Sequence, residues 1–478
     1  MKNPPLQQNT FAQPMQRRHF LTAGMAALAL QTGAGFAAAD TGLRDRTARY
    51  FTDLLRLDTS NPPGNETRAA EYLKTVAVAE GIPCELLGPD PRRLNFIARL
   101  KGSGARRPLL LMAHSDVVPV DRSQWSVDPF GAVIKNGVIY GRGAEDVKSL
   151  LAAELAVLVD LKRRSVRLDR DIILLAEADE EAASTGITWL IQNAWEKIDA
   201  DFALNEFGYW QDEPSGERVF QIQTTEKIPT RVRLMARGVA GHGSLPRPDN
   251  PVAHLAKAIT RLVEAEQPVD LNTTTRRYLS EMANLPQRRW LQPLIEKLDD
   301  KNAAGAAVMQ IRERDPELDA MLHTTVSPTM LGGGVKINVI PNTAEAQFDV
   351  RRLPTESEQG IYERFRQIVN DPAVTIEPEG QQKPATEPSS LTSPLYLAME
   401  RVFQASHPRA RVAPFMMRGA TDGAYLRAKG MAVYGVPLFG REGEPRWHGN
   451  DERISVRNLQ DGAELLLKIV LQVAVPKP

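Results

Sequence analysis

Two short runs, Leu109–Ala113 and Ile172–Ala178, are apolar almost throughout and are bounded by proline or charge. A strand with one wet face alternates apolar and polar residues. A strand that does not alternate is buried on both faces, as in a sheet covered by helices. Between the two runs, Leu151, Leu155 and Leu158 recur at helical spacing within Ser149–Leu161, which predicts the crossover helix of a right-handed strand–helix–strand unit. These features predict an α/β fold around a mixed sheet. His114 and the pair Glu180-Glu181 then fall just past strand C-terminal ends, where open α/β sheets place their ligands.

The pattern changes after Lys227. Arg231–Arg237 and Ala344–Arg351 alternate, with Ala344, Ala346, Phe348 and Val350 on one side, which predicts strands with one exposed face. Helical stretches follow Pro251 and span Ile361–Val369, and Glu377–Pro394 is rich in proline, glutamate and glutamine, as in a linker. A chain of 478 residues is long enough for two cores. The expected organisation is a larger domain in two parts, 43–227 and 381–476, with a smaller α+β domain inserted at 228–380. Ahead of it, Arg17-Arg18 precedes an apolar stretch to about Leu30 and an Ala-x-Ala exit at Ala37–Ala39. That layout predicts a cleaved twin-arginine-type signal peptide over 1–39 and an exported, periplasmic protein, with no stable membrane insertion after cleavage. Lysine plus arginine (59) equal aspartate plus glutamate (59), so nothing electrostatic points to nucleic acid. The single Cys84 excludes an internal disulfide and argues against thiolate metal binding.

Five residues stand in local contexts suited to holding an ion: His114, Asp146, Glu181, Glu206 and His448. Taken singly, each context has an ordinary reading, such as a turn histidine, a helix cap at Asp146 or a solvated acidic turn at 179–181. Together, two imidazoles and three carboxylates suit zinc, and cobalt or manganese would fill the same ligands. Five groups exceed the needs of one catalytic zinc. If Asp146 bridges, two ions each receive three protein contacts. Adjacent Glu180 and Glu181 at a buried strand end are costly to hold ionised without a cation, and one of them is free to move a proton. Asp116, two residues after His114, is placed to orient its imidazole. The segment Phe207-Gly-Tyr-Trp210 is unusually aromatic and reads as either pocket wall or core.

The segments Leu57–Glu66, His114–Pro119, Ile139–Asp146 with Lys148, Asp179–Glu181, Gly241–Pro246, Asn338–Pro341, Asp349–Arg351, Gly419–Asp422 and finally His448 occur in the order seen in a known family. The chain resembles the dinuclear zinc peptidases and deacylases that include aminoacylase, glutamate carboxypeptidase, carboxypeptidase S, acetylornithine deacetylase and succinyl-diaminopimelate desuccinylase. The resemblance implies two Zn2+ ions, one held by His114 and Glu206, the other by Glu181 and His448, with Asp146 between them. It implies Glu180 as general base, His242 as oxyanion stabiliser, Arg351 as clamp for the substrate carboxylate and Asn338 as a substrate contact. The implied reaction is cleavage of an amide beside a free carboxylate by a metal-bound hydroxide. A small peptide would make the enzyme a carboxypeptidase or dipeptidase, and an N-acyl amino acid would make it a deacylase. A non-catalytic binding protein and an aminopeptidase are the remaining readings. The resemblance further implies that the inserted domain is a lid or dimerisation domain, through which a homodimer would let His242 reach across, as the matching residue does in some relatives.

Overall fold

The computed structural model describes residues 42–300, 302–380 and 383–476. The expected signal at 1–39 lies outside the described residues. A nine-stranded mixed sheet forms the centre, in the order Cys84–Leu87, Asn95–Leu100, Ile172–Glu177, Leu109–His114, Phe202–Asn205, Ala432–Gly435, Arg218–Glu226 and Ala410–Met417, with Tyr209–Asp212 paired to Arg218–Glu226. The three strands ending at His114, Glu177 and Asn205 run parallel side by side, so the residues after them emerge on one edge.

The apolar runs are explained by burial on both faces. Leu109, Leu111 and Ala113 join Ile172, Leu174 and Ala176 in the core beneath helices Leu43–Leu55, Lys148–Arg163, Pro394–Ser406 and Val456–Ala474. Leu110, Met112, Ile173 and Leu175 face the other way, against helices Thr185–Asn193 and Trp195–Ile198. Because each face loses its water, both parities of the strands select mainly apolar side chains.

A second sheet is antiparallel throughout, in the order Thr325–Gly333, Thr343–Arg352, Ile228–Arg237 and Val374–Pro378. Its alternation is the one expected: Val232, Leu234, Ala346 and Phe348 pack beneath helices Pro251–Glu264 and Glu358–Val369, while the opposite face stays open. The span 228–380 is not uniform, however. Leu279, Leu291, Ile311 and Leu322, from its middle third, share a core with Val219, Ala413, Phe415 and Met416 on the large sheet. The helical segment 273–319 therefore packs on the large sheet, apart from the core of the small one. Within the second part expected at 381–476, the chain returns to the large sheet through helix Pro394–Ser406, followed by strand Ala410–Met417.

A three-stranded ladder, Arg453–Ser455 on Val138–Tyr140 on Val133–Lys135, ties the C-terminal region to residues near 140. That ladder sets the 448–452 loop against the 141–146 turn.

Candidate dinuclear metal site

His114 is the last residue of its strand, and Glu206 directly follows the neighbouring strand. Asp146 enters from the turn before helix Lys148–Arg163, and His448 from the loop held by the three-stranded ladder. His114 Nε2 lies 2.9 Å from one oxygen of Asp146 and 3.2 Å from Glu206 Oε2. His448 Nε2 lies 3.3 Å from the other Asp146 oxygen and 3.2 Å from Glu181 Oε2. The five candidate ligands thus form two triads, His114–Asp146–Glu206 and Asp146–Glu181–His448, joined at Asp146.

The electrostatics fit cations in both triads. Glu206 Oε1 and Glu181 Oε1 are buried without a hydrogen-bond partner, and buried carboxylate oxygens are costly to leave so. Burial pushes Glu206 up to about 7, with the His114 imidazole opposing. His448 is raised to about 10 by its hydrogen bonds to Asp146 and Glu181. Burial works to lower His114, but Glu206, Asp116 and Asp146 hold it well above its usual value. Protons are retained where positive charge is demanded, and a divalent ion meets the same demand with neutral imidazoles.

Glu180 follows the strand that ends at Glu177, and its carboxyl is raised by burial against the pull of a nearby ammonium. That ammonium belongs to Lys383, whose Nζ lies 3.3 Å from Glu180 and 3.1 Å from the buried Asp422. Asp116 differs from expectation. His114 Nδ1 donates to the backbone carbonyl of Asp116 at 2.9 Å, and the carboxylate stands off at 3.5 Å. The Asp116 carboxylate instead accepts Asn61 Nδ2 at 2.7 Å and the N–H groups of Glu180 and Glu181 at 3.2 Å each. It pins the turn carrying Glu180 and Glu181. The ring is oriented by main chain because the carbonyl reaches Nδ1 first.

Arg351 lines the same cavity of about 610 Å³ as Asp146, Glu180, Glu181, Glu206 and His448. His242 and Asn338 do not line it. His242 sits exposed on a two-stranded ladder with Val339, its Nδ1 2.8 Å from Ser244 Oγ. Within one chain these two expected site residues are not brought to the triads.

Two residues of this region carried no sequence signal. Lys383 is a lysine in a linker. Glu452, fully buried, accepts Arg142 Nη1 at 2.7 Å and the N–H groups of Gly143, Glu145 and Asp146 at 2.9, 2.6 and 2.9 Å. Arg142 also donates to the His448 carbonyl at 3.3 Å. One carboxylate thereby fastens the loops of two candidate ligands.

Residues 110–472 match the family described as Peptidase family M20/M25/M40. Among curated relatives, the human N-fatty-acyl-amino acid synthase/hydrolase PM20D1 is 28% identical over 86% of this chain and 84% of its own length. Human aminoacylase-1 is 25% identical over 89% of this chain and 94% of its own. The fold is that of the M20 family metallo-carboxypeptidase Sso-CP2 from Sulfolobus solfataricus, with a TM-score of 0.67 at 22% identity over 90% of this chain and 99% of that one.

Proposed function

This chain belongs to peptidase family M20/M25/M40, and we propose that it is a dinuclear zinc enzyme cleaving an amide bond beside a free carboxylate. The observation that carries this reading is the pair of triads sharing Asp146 in the cavity that also holds Glu180 and Arg351. Zinc suits two imidazoles and three carboxylates, and the bound ions would supply Lewis acidity and an activated water. Glu180 is the one acid of the adjacent pair outside the triads. It takes the proton from the attacking water and delivers it to the leaving amine. Arg351, on the open face of the small sheet, offers a guanidinium fork to the substrate carboxylate, with Asp349 Oδ1 3.0 Å from its Nε. Metal-loaded Glu180→Gln enzyme should retain its ions and lose at least about 10²-fold in kcat. Undiminished turnover by that variant would remove Glu180 from the mechanism.

Two further parts of the reading concern assembly and location. A homodimer through the small sheet is supported by its edge strand Thr325–Gly333, where Met330 and Leu331 are exposed, and by the exposed Val335 and Ile337 beyond it. A partner copy would bring a His242 to each cavity. A fully active monomer in sedimentation would refute this. Export is supported by Arg17-Arg18 ahead of the apolar stretch. It is tested by whether the mature N-terminus, read from periplasmic protein, follows Ala39.

A further inference from the structure

Arg351 has company on the cavity wall. Arg418, in the loop after strand Ala410–Met417, lines the same cavity. The two arginines come from different sheets and flank one lysine at the junction. The Lys227 N–H donates to the Met417 carbonyl at 2.8 Å, which sets Arg418 beside the end of the large sheet. Two residues later, Pro229 is the cross-strand partner of Arg351 on the small sheet. Lys227 is buried, and its Nζ donates to the carbonyls of Ala320 and His323 at 2.8 and 2.9 Å. Burial lowers this ammonium to about 7, and Arg351 and Arg418 both push it the same way against Glu356 and Asp319. Both guanidiniums therefore lie within electrostatic reach of one ammonium.

Three cations at one junction favour an anion between them. The acids nearby are engaged or exposed. Asp319 pairs with Arg312 at 2.8 Å and Glu356 with Arg364 at 2.5 Å. The hydrogen bonds of Arg351 to Asp349 use Nε alone. Arg418 has one acidic partner among the described residues, Glu317 at 3.1 Å, whose side chain is 63% exposed. Such an exposed pair contributes little and yields to a better-placed anion. The backbone that presents Arg418 is anchored. Thr421 donates its N–H and O–H to the buried Glu226 at 3.2 and 2.9 Å, and Glu226 pairs with Arg427 at 2.7 Å. An anchored loop loses less entropy when its side chain is ordered on a ligand.

We infer that Arg418 is a second residue of the substrate-carboxylate site, gripping from the large sheet the same carboxylate that Arg351 meets from the small one. The inference rests on the amide-hydrolase reading above and adds a specificity residue to it. Two carboxylate oxygens offer about four lone-pair directions, enough for both guanidinium forks. Glu317 is the internal carboxylate that the substrate displaces.

The test uses metal-loaded enzyme with N-acetyl-phenylalanine and leucyl-phenylalanine. Arg418→Gln should raise KM about 10- to 100-fold for whichever is cleaved, with kcat little changed, as expected for a lost charge-assisted contact. Arg418→Lys, which keeps the charge without the fork, should recover part of the loss. Glu317→Gln should leave KM unchanged or lower it, because it removes the competing carboxylate. If the pair is only structural, Glu317→Gln and Arg418→Gln will fail alike, and that result overturns the inference. Calorimetry on metal-loaded Glu180→Gln enzyme gives a readout without turnover. The parent should bind N-acetyl-phenylalanine more tightly than its carboxamide, and adding Arg418→Gln should shrink that preference about tenfold or more. No preference in the parent, or one that Arg418→Gln leaves unchanged, overturns the inference while leaving amide hydrolysis standing. If wild-type enzyme cleaves neither compound, the hydrolase reading fails on this panel, and the calorimetry still decides Arg418.

Discussion

Glu452 lies outside both triads, yet its replacement by glutamine should disturb metal binding more than any other change outside the ligands. Its carboxylate receives four donors, one from Arg142 and three from the backbone of residues 143–146. Burial raises the carboxyl to about 7, opposed by Arg142 and by the N–H groups of Gly143 and Asp146. Four donors directed at two oxygens favour the ionised form, which the group holds above about 7. Glutamine keeps one acceptor oxygen, turns an NH2 toward backbone N–H groups and leaves the buried Arg142 without its counter-charge. Breaking a buried pair from one side costs about 3–5 kcal/mol, and each lost hydrogen bond to a charged group about 1.5–3 kcal/mol. These overlap, so the expected loss of stability is about 3–5 kcal/mol in total. The 141–146 turn then no longer fixes Asp146, and removal of such a supporting partner lowers metal affinity about 10- to 100-fold. Chelator competition would measure the affinity and denaturant titration of the apo enzyme the stability. Wild-type values in both would show that Glu452 does not hold the bridge.

Other outcomes follow from the same geometry. Lys383→Met should lower kcat about 10- to 100-fold, because its ammonium stands 3.3 Å from Glu180 and orients it; Lys383→Arg should restore most of the loss, and a fully active methionine variant would dismiss the role. The apo enzyme should lose stability as pH rises. His448 is raised above its unfolded value of about 6.5 to about 10, so its stabilising contacts are complete below about 6.5 and are lost through about 10. Glu206, a carboxyl raised to about 7, adds a loss in the same direction between about 4.5 and 7. Bound metal should flatten this slope and release protons on binding, as read by denaturation with and without chelator and by calorimetry in buffers of different ionisation enthalpy. An apo stability that rises with pH would contradict it.

Strand and helix periods carried the fold class, because two-sided burial of Leu109–Ala113 and one-sided burial of Ala344–Val350 are properties of local order along the chain. The candidate ligands were legible for a related reason: imidazole and carboxylate are the groups that bind such ions, and His114 and Glu181 stood at or just past the ends of recognisable strands. The pairing of ligands was not legible from residue chemistry. His114 and His448 lie far apart in the chain, and only the closing of the sheet, with the ladder at Arg453–Ser455, gives each its own oxygen of Asp146. The same limit hid Glu452, whose donors are mostly backbone N–H groups identical at every residue until folding aims them. It also assigned the orienting of His114 to the Asp116 carboxylate, when the carbonyl of the same residue stands closer to Nδ1. The helices at 273–319 were assigned to the inserted domain by their place in sequence. Their apolar faces fit Val219, Ala413 and Phe415 on the large sheet, and burial against that surface decided where they pack. Residue chemistry and its period along the chain belong to the sequence, while which distant groups share an ion, a proton or a core is set by the three-dimensional closure that brings them within a few ångströms.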